Sequence, residues 1–353
     1  VNGQPWQSNG AKQVLARIAE HPHWKSRKQW VAAGGNGKRR GVGLALGGWL
    51  GGLQPTGATV RLNPDGSLAV LTGQVDIAGT NIALAQIAAS AYGVDTDLVR
   101  ITTGDTDTAP VTGLSAGSKT IYTVGAAVLQ AAEDARRQTF EIAAKELEAS
   151  VHDLELVDGK VVVRGMPDKG ITLATIGKKG NLYMSKTPPV LGKANPAFTQ
   201  QAPGFAAQLA RLEVDPDTGE VTLQDFVIVQ DVGKAINPLG VEGQMQGGAV
   251  QSLGMALTEG LIFDESGRLT NPSLLDYRKL TAADLPNLET IIVEVPAPAG
   301  PFGARGVGEP PIIPAPAAIA NAIQDATGAR LTELPMSPER IALALVNGSA
   351  KTT

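Results

Sequence analysis

One pattern occurs twice in this chain, and it narrows the fold more than any other feature. Thr59-Val60-Arg61-Leu62 and Leu68-Ala69-Val70-Leu71 read as two strands, and Asn63-Pro64-Asp65-Gly66 between them is a tight-turn sequence. A polar loop over 73–80 then leads into an apolar helix over 82–92 that carries Gln86. In the second half, strands over 207–214 and 221–229 flank the turn Asp215-Pro216-Asp217-Thr218-Gly219. The loop 231–238 and a helix over 241–257 follow. The repeated order of hairpin, loop and glutamine-bearing helix predicts an α+β fold of two related lobes meeting at a shared cleft.

Other elements fit between these. A short helix is expected over 12–19, a short strand over 99–101, and a long amphipathic helix over about 120–149. A last strand lies near 290–295, before a Gly/Pro-rich loop and a helix starting near Pro314. The expected division is a basic N-terminal extension or linker over 1–40, a first lobe over 41–195 and a second over 196–353.

Composition excludes several classes. At 353 residues the chain can bury a large core, and its net charge of −4 does not suggest a nucleic-acid binder. It has no cysteine, which rules out disulfides, thiolate zinc sites and a cysteine-ligated iron–sulfur cluster on this chain. No apolar stretch reaches the length of a membrane span, since the run 41–53 is short and broken by glycines. No signal peptide is visible, so the expected compartment is the cytoplasm, and a start at Val1 means a lost methionine or a longer parent chain. Lys12, Arg17, Lys25, Arg27, Lys28, Lys38, Arg39 and Arg40 face only Glu20 in the first forty residues. That segment is either a solvated basic stretch or a docking surface for an acidic partner.

The stretch Gly113-Leu114-Ser115-Ala116-Gly117-Ser118-Lys119-Thr120 admits three readings. As a Gly-x-Ser-x-Gly elbow it would mark a serine hydrolase, yet the only histidine downstream is His152, just past a long helix. As a P-loop it fails, because Ser118 stands where glycine must precede Lys119. As an anion cradle it has small residues at a helix start, where free N–H groups and the helix dipole favour phosphate. A simple N-cap by Ser118 or Thr120 is the bland alternative.

Three further stretches are dense in glycine at loop–helix junctions: 73–76, 243–248 and 303–311. Gln244 and Gln246 each offer an amide donor and acceptor, which suits a flat polar heterocycle. Glu309 follows Gly303-Ala304-Arg305-Gly306-Val307-Gly308 and precedes Pro310-Pro311. The glycines let backbone approach a ligand, and a carboxylate ahead of a helix start is eased into its ionised form, as a base requires. A structural turn-capping glutamate is the alternative.

Together, "GQVDIAGTNIALAQIAA", "GDTDTAPVTGLSAGSKTIYTVGAAV", "DVGKAINPLGVEGQMQGGAVQSLGMALTEGL", "NPSLLDYRKL" and "GVGEPPIIPAPAAIANAI" resemble the molybdenum hydroxylases of the xanthine oxidase and aldehyde oxidase family. The likeness runs from about 41 to 345 and is to the C-terminal half of the molybdenum-binding large subunit. It implies that Ser115, Ala116, Gly117 and Ser118 hold the phosphate-bearing part of the cofactor, with Gln244 on the pterin and Gly79, Thr80 and Gly308 also in contact. It implies that Glu309 is the catalytic base in the second of two cofactor-binding lobes. The metal would be held by the pterin dithiolene and by no side chain of this chain.

The implied reaction is hydroxylation of an electron-poor carbon with water-derived oxygen. N-heteroaromatics, purines, aldehydes and even carbon monoxide are handled within the family. The implied cofactor is molybdenum with molybdopterin in its cytosine dinucleotide form. Implied partners are the N-terminal half of the molybdenum subunit, a 2Fe–2S subunit and an FAD subunit, so the chain is expected to be active only in a hetero-oligomer.

Two departures bear on this: one turn differs, and the likeness does not include the N-terminal half of the family's large subunit. Ile77-Ala78-Gly79 stands where many relatives carry Gly-Gln-Gly, which leaves Thr80 or Asn81 to replace a glutamine contact. Trp49 falls near the place of a substrate-pocket aromatic. A non-catalytic binding or maturation protein on the same fold is the alternative from another class, and a serine hydrolase comes third.

Overall fold

The computed structural model describes residues 5–349, so the chain start at Val1 and residues 350–353 at the end of the second lobe lie outside it. The order begins with helices α1 (Ala11–Ala19), α2 (Pro22–Lys25) and α3 (Arg27–Ala32), then strands β1 (Arg39–Trp49), β2 (Ala58–Leu62) and β3 (Leu68–Thr72). Helix α4 (Thr80–Tyr92), strand β4 (Val99–Thr103) and the long helix α5 (Thr120–Leu147) follow. A small meander of β5 (Leu154–Val157), β6 (Lys160–Val163) and β7 (Met166–Thr172) precedes α6 (Leu173–Gly180) and β8 (Leu191–Ala194). The second half runs β9 (Gly204–Val214), β10 (Val221–Asp231), α7 (Pro238–Leu257), β11 (Asn287–Val293), α8 (Ala315–Thr327) and α9 (Pro338–Ser349).

Both predicted hairpins form, as β2–β3 and β9–β10. Each hairpin sits inside a four-stranded mixed sheet. The first sheet has the order β4-β3-β2-β8, with β3 and β4 parallel, and the second the order β1-β9-β10-β11, with β10 and β11 parallel. Helices α4 and α5 bury Leu84, Ile87, Val124, Val128 and Ala131 in one core with Val60, Leu62, Leu68 and Val70 of the first sheet.

The second sheet is covered on both faces, which is why its strands are almost continuously apolar. Leu212, Val214, Phe226 and Ile228 face α7 and α8, while Leu209, Val227 and Val229 face Val14 and Ile18 of α1. The first forty residues are therefore more than a linker. Arg40 pairs with Glu213 at 2.9 Å, and Lys38 reaches Thr222, so part of the basic surplus is used within the chain.

Sequence order also misplaces one element. Residues 41–49, assigned above to the first lobe, form β1 in the sheet of the second half, paired along their length with β9. The glycines that disguised this strand explain its packing. A Cβ on Gly41 or Gly43 would lie 2.0 Å from the carbonyl oxygen of Ala322 or Ala318, so α8 crosses β1 at backbone contact. Among the described residues no helix is long and apolar enough to cross a membrane.

Candidate active site

A cavity of about 410 Å³ opens between the two sheets' helices, and its wall draws on four separate stretches of chain. Gly79, Thr80, Ser115, Ala116, Gly117, Ser118, Gln244, Gly308 and Glu309 all line it. Residues 79 and 309 are brought together by the start of α4, the start of α5, the first turns of α7 and the loop before α8. The starts of α4 and α5 both contribute to this wall, and free N–H groups at helix starts suit an anion.

Both helix starts share a backbone device. Ala78 and Gly79 (φ 60° and 69°) precede α4, and Gly117 and Ser118 (φ 69° and 57°) precede the start of α5. Left-handed non-glycine residues cost about 1–3 kcal/mol and persist only where their surroundings hold them. Around Gly117 the hold is visible. Its carbonyl accepts the Gly52 N–H at 2.6 Å and the Trp49 indole N–H at 3.3 Å. The buried Lys119 ammonium donates to the Thr112 carbonyl at 2.7 Å, closing the loop from beneath, and burial pushes its pKa down. No side chain caps α5, so the N-cap alternative does not describe this helix start.

Trp49, expected as a substrate-pocket aromatic, is not in the cavity wall; its indole braces the cradle loop from behind. Of the two candidates to replace a glutamine near residue 78, Thr80 lines the cavity. Asn81 instead accepts from Gln74 at 2.8 Å. Gln246 is exposed and outside the wall. His152, the only histidine downstream of Ser115, is exposed in the turn before β5, and it too is outside the wall.

The loop that carries Glu309 is tightly held. Gln230 donates to the Val307 carbonyl at 2.9 Å, Gln208 to the Pro311 carbonyl at 2.7 Å, and Ser252 to the Ile312 carbonyl at 2.6 Å. Arg305 is fully buried and pairs with Asp231 at 3.0 Å. Glu309 itself is half-buried, with the Ser118 hydroxyl accepting its backbone N–H at 2.9 Å and donating to its carboxylate. Gln244 lies beside the same loop: a Cβ on Gly308 would sit 3.0 Å from its Oε1.

Sequence reasoning missed Gln208, Gln230, Asp231 and Arg305, because their roles depend on strands and a loop far apart in the chain. It also missed Lys234 and Gln251 in the wall. Gly233 beside Lys234 was the one available signal.

The family of the molybdopterin cofactor-binding domain matches residues 17–286. The chain belongs to that family. It is 32% identical over 350 residues to the putative xanthine dehydrogenase molybdenum-binding subunit of Escherichia coli K12, covering 97% of this chain and 46% of that protein. It is also 32% identical over 275 residues to the carbon monoxide dehydrogenase large chain of Afipia carboxidovorans, covering 76% of this chain and 34% of that one. Among solved structures, quinoline 2-oxidoreductase from Pseudomonas putida 86 superposes with a TM-score of 0.88 at 29% identity, over 98% of this chain and 47% of that one. The chain therefore spans less than half the length of these relatives. The resemblance read from the five motifs, and the α+β fold expected from the repeated pattern, are both borne out. Glu309 lies beyond the last residue of the family match, within the span aligned with the Escherichia coli relative.

Proposed function

We propose that this chain is the cofactor-binding and base-bearing half of the large subunit of a molybdenum-dependent oxidoreductase. The observation that carries this reading is the convergence of Glu309, Gln244 and the 115–118 loop on one cavity. The wall offers backbone N–H groups at helix starts, an amide and a carboxylate, a set of donors and acceptors that fits a phosphate-bearing pterin. When bound, the molybdenum cofactor supplies the two-electron redox centre.

The residues of this chain divide the remaining work. Ser115 to Ser118 present N–H groups to the cofactor's phosphate part, in its cytosine dinucleotide form. Gly79 and Thr80 add the start of a second helix, and Gly308 lets the backbone come close. Gln244 orients the pterin through its amide. Glu309 accepts the proton from the oxygen that is delivered to an electron-poor carbon of the substrate.

The substrate class is an N-heteroaromatic, a purine or an aldehyde. Partners are the other half of the large subunit, a 2Fe–2S subunit and an FAD subunit. Val75, Ile77, Val111, Leu114 and Leu239 are exposed apolar side chains around the cavity and the loops beside it, a surface suited to burial against the other half of the large subunit.

The complex containing this chain, assayed with a dye acceptor against panels of the three substrate classes, tests the proposal. Turnover of one class supports it. A complex that carries molybdenum yet oxidises none of them favours a binding or maturation protein on the same fold.

A further inference from the structure

The cradle reading uses only the backbone of Ser118, and the side chain is doing something else. Its hydroxyl accepts the Glu309 N–H at 2.9 Å and donates to Oε2 of the same residue. A hydroxyl has a single proton. With the N–H donating to one of its lone pairs, the Ser118 hydroxyl still has its own proton to give to Oε2, so one side chain grips both the backbone and the carboxylate of Glu309.

The backbones are locked together as well. A Cβ on Gly306 would lie 1.7 Å from the Ser118 carbonyl oxygen, and one on Gly308 would lie 3.6 Å from the Ser118 hydroxyl. The left-handed turn at Ser118, with φ 57°, directs this residue into the glutamate loop 191 positions downstream.

We propose that Ser118 is the positioning residue for Glu309, so that one loop both seats the cofactor's anionic part and holds the base. The inference rests on the reading of Glu309 as base. The clamp fixes the carboxylate's rotamer and keeps its other oxygen free to take a proton. An unseated cradle loop would release the base, which ties its readiness to a bound cofactor.

Two variants separate backbone from hydroxyl. Ser118→Gly removes the hydroxyl while suiting the left-handed backbone, and Ser118→Ala removes it while keeping the Cβ. In the assembled complex both are expected to retain molybdenum and pterin at wild-type levels and to keep KM, with kcat reduced on the order of 10–100-fold. Combined with Glu309→Ala, either variant is expected to lower the residual rate no further, because the group being positioned is gone.

The equilibrium unfolding of the wild type, the single variants and the double variants gives a readout apart from turnover. It should show side-chain coupling between residues 118 and 309. Normal kcat in both Ser118 variants, with Glu309→Ala inactive, would overturn the clamp and leave the functional reading intact. Equal additive losses in the Glu309→Ala background, or loss of cofactor in both Ser118 variants, would assign Ser118 to cofactor seating alone. A wild-type complex without molybdenum would overturn the functional reading and the positioning role with it, whatever coupling the unfolding data show.

Discussion

Asp231 and Arg305 form an ion pair 3.0 Å apart in which neither side chain meets solvent. Burial pushes the Asp231 carboxyl up and the Arg305 guanidinium down, and each partner's charge opposes the other's shift. Asp231 also accepts the N–H groups of Gly233 and Val295 at 3.1 and 3.3 Å. Arg305 donates to Ser8 and to the Val295 carbonyl at 2.7 Å, and to the Pro203 carbonyl. The N–H directions still leave Asp231 Oδ2 without an aligned hydrogen bond and Arg305 Nε without an acceptor. The pair is thus held chiefly by charge at short range, and it pins the N-terminal segment, β10 and the glutamate loop at one point.

Removing one partner strands the other charge in a dry interior. Arg305→Met is expected to cost about 3–5 kcal/mol of stability, read by denaturant unfolding. A loss within the range of ordinary surface substitutions would show that the pair is not structural.

Glu309→Gln keeps the side chain's shape and removes its ability to take a proton. The expected outcome is unchanged cofactor content with turnover lowered by ~10²–10⁴-fold, measured by metal analysis and steady-state rates on the same preparation. Near-normal rates would remove Glu309 from the chemistry.

Gly306→Ala probes the contact between the two loops. Its methyl group would meet backbone, 1.7 Å from the Ser118 oxygen and 2.7 Å from the Ser118 carbonyl carbon, so the loops must part. A cost of about 1–3 kcal/mol or more is expected, together with weaker cofactor retention. Thermal unfolding with molybdenum content on one sample checks both effects.

Acid should loosen the N-terminal helices. His23 Nδ1 lies 2.6 Å from Arg211 Nη1, and a guanidinium can only donate, so that nitrogen must be unprotonated. Burial first, then the Arg211 charge, hold His23 below its ordinary value of 6.5. The folded chain then binds fewer protons here than the unfolded one. The stabilisation is present above 6.5 and is lost as the pH falls towards the lowered value. Faster proteolysis of residues 11–32 at about pH 5.5 than at about pH 7.5 is expected, and His23→Gln should flatten the difference. Equal rates in the wild type would contradict the assignment.

The elements with clear periodicity were legible in the sequence. Both hairpins and the helices around 82–92, 120–149 and 241–257 form within a few residues of expectation. β1 was not legible because its glycines read as loop, although they exist to admit α8. The cavity's cast was legible only through motifs taken together, since Ser118 and Glu309 are unremarkable singly. What escaped was tertiary: the buried glutamines behind the glutamate loop, the Asp231–Arg305 pair, and the place of Trp49 behind the cradle loop. Nothing in local pattern encodes which distant backbone carbonyl a buried amide will meet.

The most direct test of the account is the metal and cofactor content of the purified complex that contains this chain. One molybdenum and one pterin dinucleotide for each copy of the chain are expected. Their loss is expected when the 115–118 loop is replaced by bulkier residues. A well-folded complex with neither molybdenum nor pterin would contradict the assignment of the cavity.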